Sequence, residues 1–251
     1  MNKQRKGYIL SIIFLSSVST MLYLIHFIFF KEPINTIANI ITSLAFAPIQ
    51  MIFDLLVIDK IMEIRENAKK AKKINMIIGS FYNVIGNDIL TMLVKADPDN
   101  PSIKSMARVS KHCCEEDFWQ LKNDLMNYDF KIDINELNLN DLNLILEKNK
   151  NFLIDLMISS VIDEDEEFSI MVMAVVHLRD EFATRRSNGL EEYEVLHIKK
   201  DVENAYRLLT YQWVDYMKHL KEFYMQLFAK ALIQSPFDDR SNLEKDKEFL
   251  C

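Results

Sequence analysis

Apolar positions crowd the first sixty residues and then thin into a helical rhythm. Tyr8–Phe30 is a run of 23 residues without a formal charge, and Ile34–Phe53 is a second run of 20. As a helix the first is about 34 Å long, enough to cross a hydrocarbon core of about 30 Å. Only Lys31-Glu32-Pro33 separates the two, which predicts a tight hairpin with Pro33 in the first turn of the second helix, where its missing N–H is not needed. That second helix is expected to run unbroken from Ile34 to Ile78, because nothing between Pro48 and Gly79 obliges it to stop. On a wheel of roughly 100° per residue, Asn35, Thr36, Asn39, Thr42, Ser43, Gln50 and Asp54 fall within about 140° of arc. The opposite half carries Ile34, Ile37, Ile41, Leu44, Ile52 and Leu55. Beyond Ile58 the same arc turns apolar at Ile61, Ile64, Ala68, Ala71 and Ile78 while its surroundings become charged. Such an inversion suits a helix with one face against protein both inside and outside a bilayer.

After this stalk no segment shows the period-2 alternation of a half-buried strand, so the remainder reads as helical throughout. A helix is expected from Gly79 to Lys95, ending at Asp97-Pro98-Asp99-Asn100-Pro101. A second, capped by Ser102, runs through Met106, Phe118, Leu121 and Leu125. Residues 129–139 read as irregular. A third helix covers about Asn140–Ser160, and a fourth follows the acidic run Asp163–Glu167, with Arg185 and Arg186 ahead of a stop at Asn188-Gly189. The last buries Val195, Ile198, Val202, Leu209, Trp213, Leu220, Leu227 and Ala231 as one long helix ended by Ser235-Pro236, with helices three and four packed on it. The expected fold is therefore all-α, a two-helix transmembrane hairpin continuing into a cytosolic helical bundle. Residues 1–7 form a basic N-terminus, 8–30 the first span, 31–33 an external turn and 34–58 the second span. Residues 59–78 form a juxtamembrane stalk, 79–237 the bundle and 238–251 a charged tail.

Charge sets the topology. Residues 1–73 carry ten Lys or Arg against five Asp or Glu, whereas residues 74–251 are net −12. Lys3, Arg5 and Lys6 precede the hairpin, and a collar of Lys60, Arg65, Lys69, Lys70, Lys72 and Lys73 follows it. Both termini are thus expected in the cytoplasm of a multi-pass inner-membrane protein, with the collar on anionic headgroups. A cleaved signal peptide is the competing reading of the basic start and Ala45-Phe46-Ala47, but both apolar runs exceed an h-region of about 7 to 15 residues. Cys113, Cys114 and Cys251 then lie in a reducing compartment, which implies no disulfide framework. The acidic body argues against nucleic acid as a partner.

The polar arc of the second span is the strongest anomaly, because Asn, Gln and Asp at depth need partners or water. It can pack on the first helix, which offers Ser11, Ser16, Ser17, Ser19, Thr20 and His26, form a homo-oligomeric interface, or line an aqueous path with Asp54 near its cytoplasmic mouth. Other candidates are plainer. His112-Cys113-Cys114-Glu115, placed on a helix, points its side chains about 100° apart and so cannot converge on one ion. Glu194-x-x-His197 has the spacing of half a di-iron motif but lacks a second copy. His177 with Asp180 and Glu181, and His219 with Glu222, read as helix-surface pairing. With four glycines and no phosphate-loop, nucleophile-elbow or zinc-protease motif, no catalytic residue, cofactor or metal site is expected.

His177-Leu178-Arg179-Asp180-Glu181, then Tyr206-Arg207-Leu208-Leu209 and Trp213-Val214-Asp215-Tyr216-Met217-Lys218-His219-Leu220-Lys221, resemble an uncharacterised prokaryotic family of two-span membrane proteins with a helical cytosolic domain. The likeness covers about Lys73 to Phe237 and implies architecture, with no activity or site to carry over. The functional expectation is a membrane-anchored helical interaction or signalling protein, homo-oligomeric and with a protein partner. The alternative is a small oligomeric channel lined by the second span.

Overall fold

In the computed structural model, the structure describes residues 13–14, 17–26, 28, 33–159, 162–184, 192–240 and 244, less the side chains of Pro33, Thr36, Asp163 and Glu192. The expectations for Lys3, Arg5, Lys6, Ser11, Ser16, the turn at Lys31-Glu32, Arg185, Arg186, Asn188-Gly189 and Cys251 fall outside these residues. Every described element is helical. The chain divides into two compact units, residues 1–66 and 67–251.

In the first unit, residues 17–26 are helical and helix α1, Pro33–Phe81, begins. Pro33 opens it as its sequence position dictates, and Pro48 lies inside it without ending it. From Ile34 through Lys69 every described side chain is exposed. The expected hairpin of two spans is thus not what the described residues establish. One helical stretch, Ile37–Ala96, is long and apolar enough to cross a bilayer by length and composition, and its most apolar 18 residues, of mean hydropathy 1.9, have none of their number buried.

In the second unit α1 runs through Gly79, where a new helix was expected. It ends in a π-turn at Tyr82–Gly86, followed by α2, Asn87–Ala96. The reason lies in the spacing. Ile78, Phe81 with Tyr82, Ile85 with Gly86, Ile89 with Leu90, and Leu93 with Val94 are all buried at a repeat of four. A repeat of four drifts about 40° per step on a 3.6-residue helix, and a single wide turn brings the stripe back to the core. Gly86 makes this turn possible: a Cβ there would stand 2.7 Å from Tyr82 Cδ1 and 2.8 Å from Phe81 Cε1.

Helix α3, Asn100–Met106, starts ahead of Ser102, with Asp99 at its N-cap and Asp97 Oδ1 accepting the Asp99 N–H at 2.9 Å. It does not continue to Leu125. Residues 107–114 leave the helix, held by Ser110, whose hydroxyl accepts the His112 N–H at 3.3 Å. Helix α4, Glu115–Met126, then restarts with Asp117 accepting the Cys114 N–H at 2.6 Å. The third expected helix is two, α5 (Leu139–Lys148) and α6 (Lys150–Ile158). They part at Asn149, whose side-chain amide donates to the Ile145 carbonyl at 2.9 Å and competes with the helix. A short 3-10 turn, Ile162–Glu164, precedes α7, Glu166–Thr184, where Asp165 Oδ1 accepts the Phe168 N–H at 2.9 Å. The last helix is also two, α8 (Glu192–Phe223) and α9 (Met225–Ile233), parted at Tyr224 with φ −142° and ψ 62°. At 32 residues α8 is the longest described helix that lies wholly within this unit, and α1, at 49 residues, is longer still.

Helix α8 is the axis of this unit, packing against α2, α4, α7 and α9. Its Ile198, Val202, Tyr206, Leu209, Trp213 and Met217 are buried. The expectation of α7 beside it holds, and the pairing is antiparallel, since His177 meets Asp201 while Glu181 meets His197. The third helix packs instead on α2 and α7. Aromatic contacts tie the elements: Tyr82 stacks on Tyr216 at 5.1 Å, Phe81 meets Phe168 edge-on at 6.0 Å, and Trp213 meets Phe237 at 4.9 Å. One buried carboxylate serves as a knot. Asp97 Oδ2 accepts the hydroxyls of Tyr128 at 2.8 Å and Tyr206 at 3.0 Å, joining the α2–α3 turn to α8. Burial, reinforced by Asp97, pushes both phenols well above their ordinary range.

Candidate functional site

A concavity of about 620 Å³ within the second unit lies between the end of α1 with its π-turn, α8 and α9. This is the size range of small-molecule sites. The break at Tyr224 builds it: by turning the chain after Phe223, it lets α9 bury Phe228 and Leu232 in the core while Leu227 and Ala231 form a wall. Gly79 opens the opposite wall, where Tyr216 Cε2 stands 3.4 Å from the position of a Cβ.

The lining is amphipathic. Met76, Leu220 and Leu227 supply apolar surface, and Asn75, Asn83, Asn87 and Gln234 supply amides, with Lys72 and Lys230 as the cations. Asn75 and Asn83 each donate to the carbonyl four residues back, at 2.9 and 2.8 Å. Asn87 Oδ1 and His219 Nε2 are buried and take no hydrogen bond within the protein. Two such groups in one cavity are costly, about 1–3 kcal/mol each, and they suit a guest with polar atoms. Burial depresses His219 against the opposing pull of Glu222. Burial raises Tyr216, against a hydrogen bond from Asn83. The arrangement can hold a partly apolar molecule with an anionic group toward the lysines; it contains no nucleophile paired with a base.

The residues singled out by sequence fare differently. Asn35, Asn39, Thr42, Ser43, Gln50 and Asp54 are all exposed, and the side chain of Thr36 lies outside the described residues. Thr42 returns its hydroxyl to the Ala38 carbonyl at 2.9 Å. Asn39 lines a cavity of about 370 Å³ with Ser19, Leu22, Tyr23 and His26, within the first unit. The seam expected to continue through Ile61, Ile64, Ala68 and Ala71 is exposed as well, and α1 first meets the core at Ile74. Of the collar, Lys60 pairs with Glu63 at 2.8 Å, Lys70 with Glu164 at 3.2 Å, and Lys72 lines the large cavity. Arg65, Lys69 and Lys73 are exposed.

His112, Cys113 and Cys114 stand in the loop before α4 rather than on a helix, which corrects the geometry assumed for them. Their backbone is clamped by Lys221, whose ammonium donates to the Lys111 carbonyl at 2.7 Å and to that of Cys113. Sequence reasoning missed a different convergence. His177, Glu181 and His197 place ligand-type atoms within 4.8 Å of one another, and Asp201 Oδ2 lies 3.7 Å from His177 Nε2 and 3.6 Å from His197 Nε2. The available signal was a His-x3-carboxylate spacing on each of two helices predicted to pack.

Comparisons with known proteins agree with this division of the chain. A family model described as "Uncharacterized protein MJ1433, C-terminal helical domain" matches residues 70–233, and "MJ1433, N-terminal helical domain" matches residues 2–62. The two matches fall on either side of the boundary between the compact units. The Uncharacterized protein MJ1433 of Methanocaldococcus jannaschii is 36% identical over 250 residues, covering 98% of this chain and 100% of the relative. No solved structure matches.

Proposed function

The chain belongs to the MJ1433 family, with its N- and C-terminal helical domains, and from that premise we propose that it is a membrane-anchored, homo-oligomeric helical interaction protein. One observation carries this reading: the apolar half of α1, with Ile34, Leu44, Ile49, Met51, Ile52 and Leu56 each more than half exposed, has no cover among the described residues. An apolar surface of that length in water would drive association or aggregation, and a bilayer covers it at no such cost. In this reading residues 8–30 and 34–58 are two spans, the lysines after Asp59 sit at the inner leaflet, and the second unit is the cytosolic body. The large cavity, lined by the helix that leads to the anchor, is then where a ligand meets the membrane-attached element.

Membrane association tests it. The full chain should float with liposomes and resist extraction by alkaline carbonate, whereas a fragment of residues 67–251 should remain in the soluble fraction. Release of the full chain by carbonate would overturn the proposal. The exposed polar arc favours a second reading, a channel lined by α1. Purified protein that stays silent in planar bilayers under voltage and cytosolic ligand would remove it.

A further inference from the structure

We propose that His177, Glu181, His197 and Asp201 form a binding site for a first-row divalent transition ion of the Zn²⁺ class, clamping α7 to α8. The four residues are two copies of one device. His177 precedes Glu181 by four residues on α7, and His197 precedes Asp201 by four on α8, so each pair shares a helix face. Antiparallel packing then sets each histidine against the other helix's carboxylate.

The distances fit shared coordination better than ordinary ion pairing. An imidazole paired with a carboxylate would approach to about 2.7–3.0 Å. Instead one oxygen, Asp201 Oδ2, stands between two Nε2 atoms at 3.6 and 3.7 Å, and Glu181 Oε2 is 4.0 Å from His197 Nε2. That Asp201 oxygen is buried and takes no hydrogen bond. A tetrahedral site with metal–ligand bonds near 2.0–2.1 Å has edges of about 3.4 Å; three of its edges here stand at 3.6, 3.7 and 4.0 Å, and His177, Glu181 and His197 lie within 4.8 Å of one another, so side-chain rotations that shorten these separations complete it. Two imidazoles select against Ca²⁺ and Mg²⁺, which take oxygen ligands, and the absence of thiolate from the set distinguishes it from a zinc finger. The carboxylates are mostly covered and the imidazoles are half exposed, 56% and 52%. An ion can therefore enter from solvent onto a base of fixed oxygens.

The site lies wholly within the second unit and does not depend on the membrane reading. Untagged full-length protein in mild detergent, stripped with chelator, should take up one Zn²⁺ per chain by calorimetry, gain thermal stability with added Zn²⁺, and give the visible bands of a tetrahedral centre with Co²⁺. His177→Gln, His197→Gln and Asp201→Asn should each weaken Zn²⁺ binding at least about tenfold, with the circular dichroism of the metal-free protein unchanged. The triple variant His112→Gln, Cys113→Ser, Cys114→Ser, which removes the other cluster of ligand types, should bind as wild type. No saturable uptake by the wild-type chain would overturn the proposal, as would undiminished binding by the first three variants or loss of binding by the triple one.

Discussion

His219 shows how a side chain can be read correctly and still have its neighbourhood missed. Its pairing with Glu222 is legible from spacing and is present as a pull that opposes the shift in the ring. Its burial beneath the break at Tyr224 is not, because that break carries no proline or glycine. The consequence is a pH dependence. Burial sets the folded value below the ordinary one near 6.5, so between the two the unfolded chain binds a proton that the folded chain does not, and stability falls as pH falls through that window. Lys72 and Lys230 line the same cavity as the ring. Glu115, held low by Lys218, and Asp117, held low by the Cys114 N–H, lose their contributions only in the carboxylate range. Asp215, raised by burial despite Lys122, works in the opposite sense from about pH 4 upward. Urea midpoints at pH 7.5 and 5.5 should therefore drop more for wild type than for His219→Gln, and an equal drop would show that the imidazole does not titrate in this window. Asp97 is a companion case. Its turn was plain from Asp97-Pro98-Asp99-Asn100-Pro101, but nothing local announces Tyr128 or Tyr206, which reach it from 31 and 109 residues away.

At the scale of elements, periodicity identified what is buried better than where helices end. Ile198 through Leu220 keep a three-or-four step on the buried side, but beyond the interruption at Tyr224 the buried positions are Phe228, Ala231 and Leu232, and Leu227, which the same step placed in the core, is 53% exposed. Likewise Asn149 and Ser110 part their helices with local side-chain hydrogen bonds that a hydrophobic pattern does not register. Glycine misled in the other direction, because neither Gly79 nor Gly86 ends a helix. Each is small for a reason of packing, and the two reasons differ in strength. At Gly86 the conformation is helical, φ −62° and ψ −42°, so alanine gains about 1 kcal/mol of helix propensity. Its Cβ, however, meets the rings of Phe81 and Tyr82, which are buried on all sides, and overpacking of that kind costs about 1–3 kcal/mol. At Gly79 the nearest ring atom is at an ordinary van der Waals distance. Chemical denaturation should rank Gly79→Ala at or above wild type by up to about 1 kcal/mol and Gly86→Ala below it. The reverse order would mean that the π-turn does not hold these rings in place.

For the whole molecule, the decisive feature is a helix whose two faces are both exposed from Ile34 to Lys69 among the described residues. Asymmetry along Ile34–Asp54 was legible because it needs only the wheel. What covers each face was not, because the partner of a surface is not written in its own residues. The exposed apolar half suits acyl chains, but Asn39, Ser43 and Gln50 on the other half do not: a polar group left without a partner in hydrocarbon costs several kcal/mol. Among the described residues a beginning is made, where Asn39 lines a cavity with Ser19, Tyr23 and His26. Under the proposed membrane-anchored reading, a second copy presenting the same arc would satisfy the rest by a self-complementary contact. Under the membrane-anchored reading, in membranes and with Cys113, Cys114 and Cys251 replaced by serine, Ser43→Cys should form a disulfide-linked dimer on mild oxidation. Leu44→Cys, about 100° away on the apolar arc, should stay monomeric. If the two variants crosslink equally, the arc is not the oligomer face and its amides must be answered within a single chain. If Leu44→Cys alone crosslinks, the polar side is turned to lipid or water, and the one-sided anchor is the wrong description of α1.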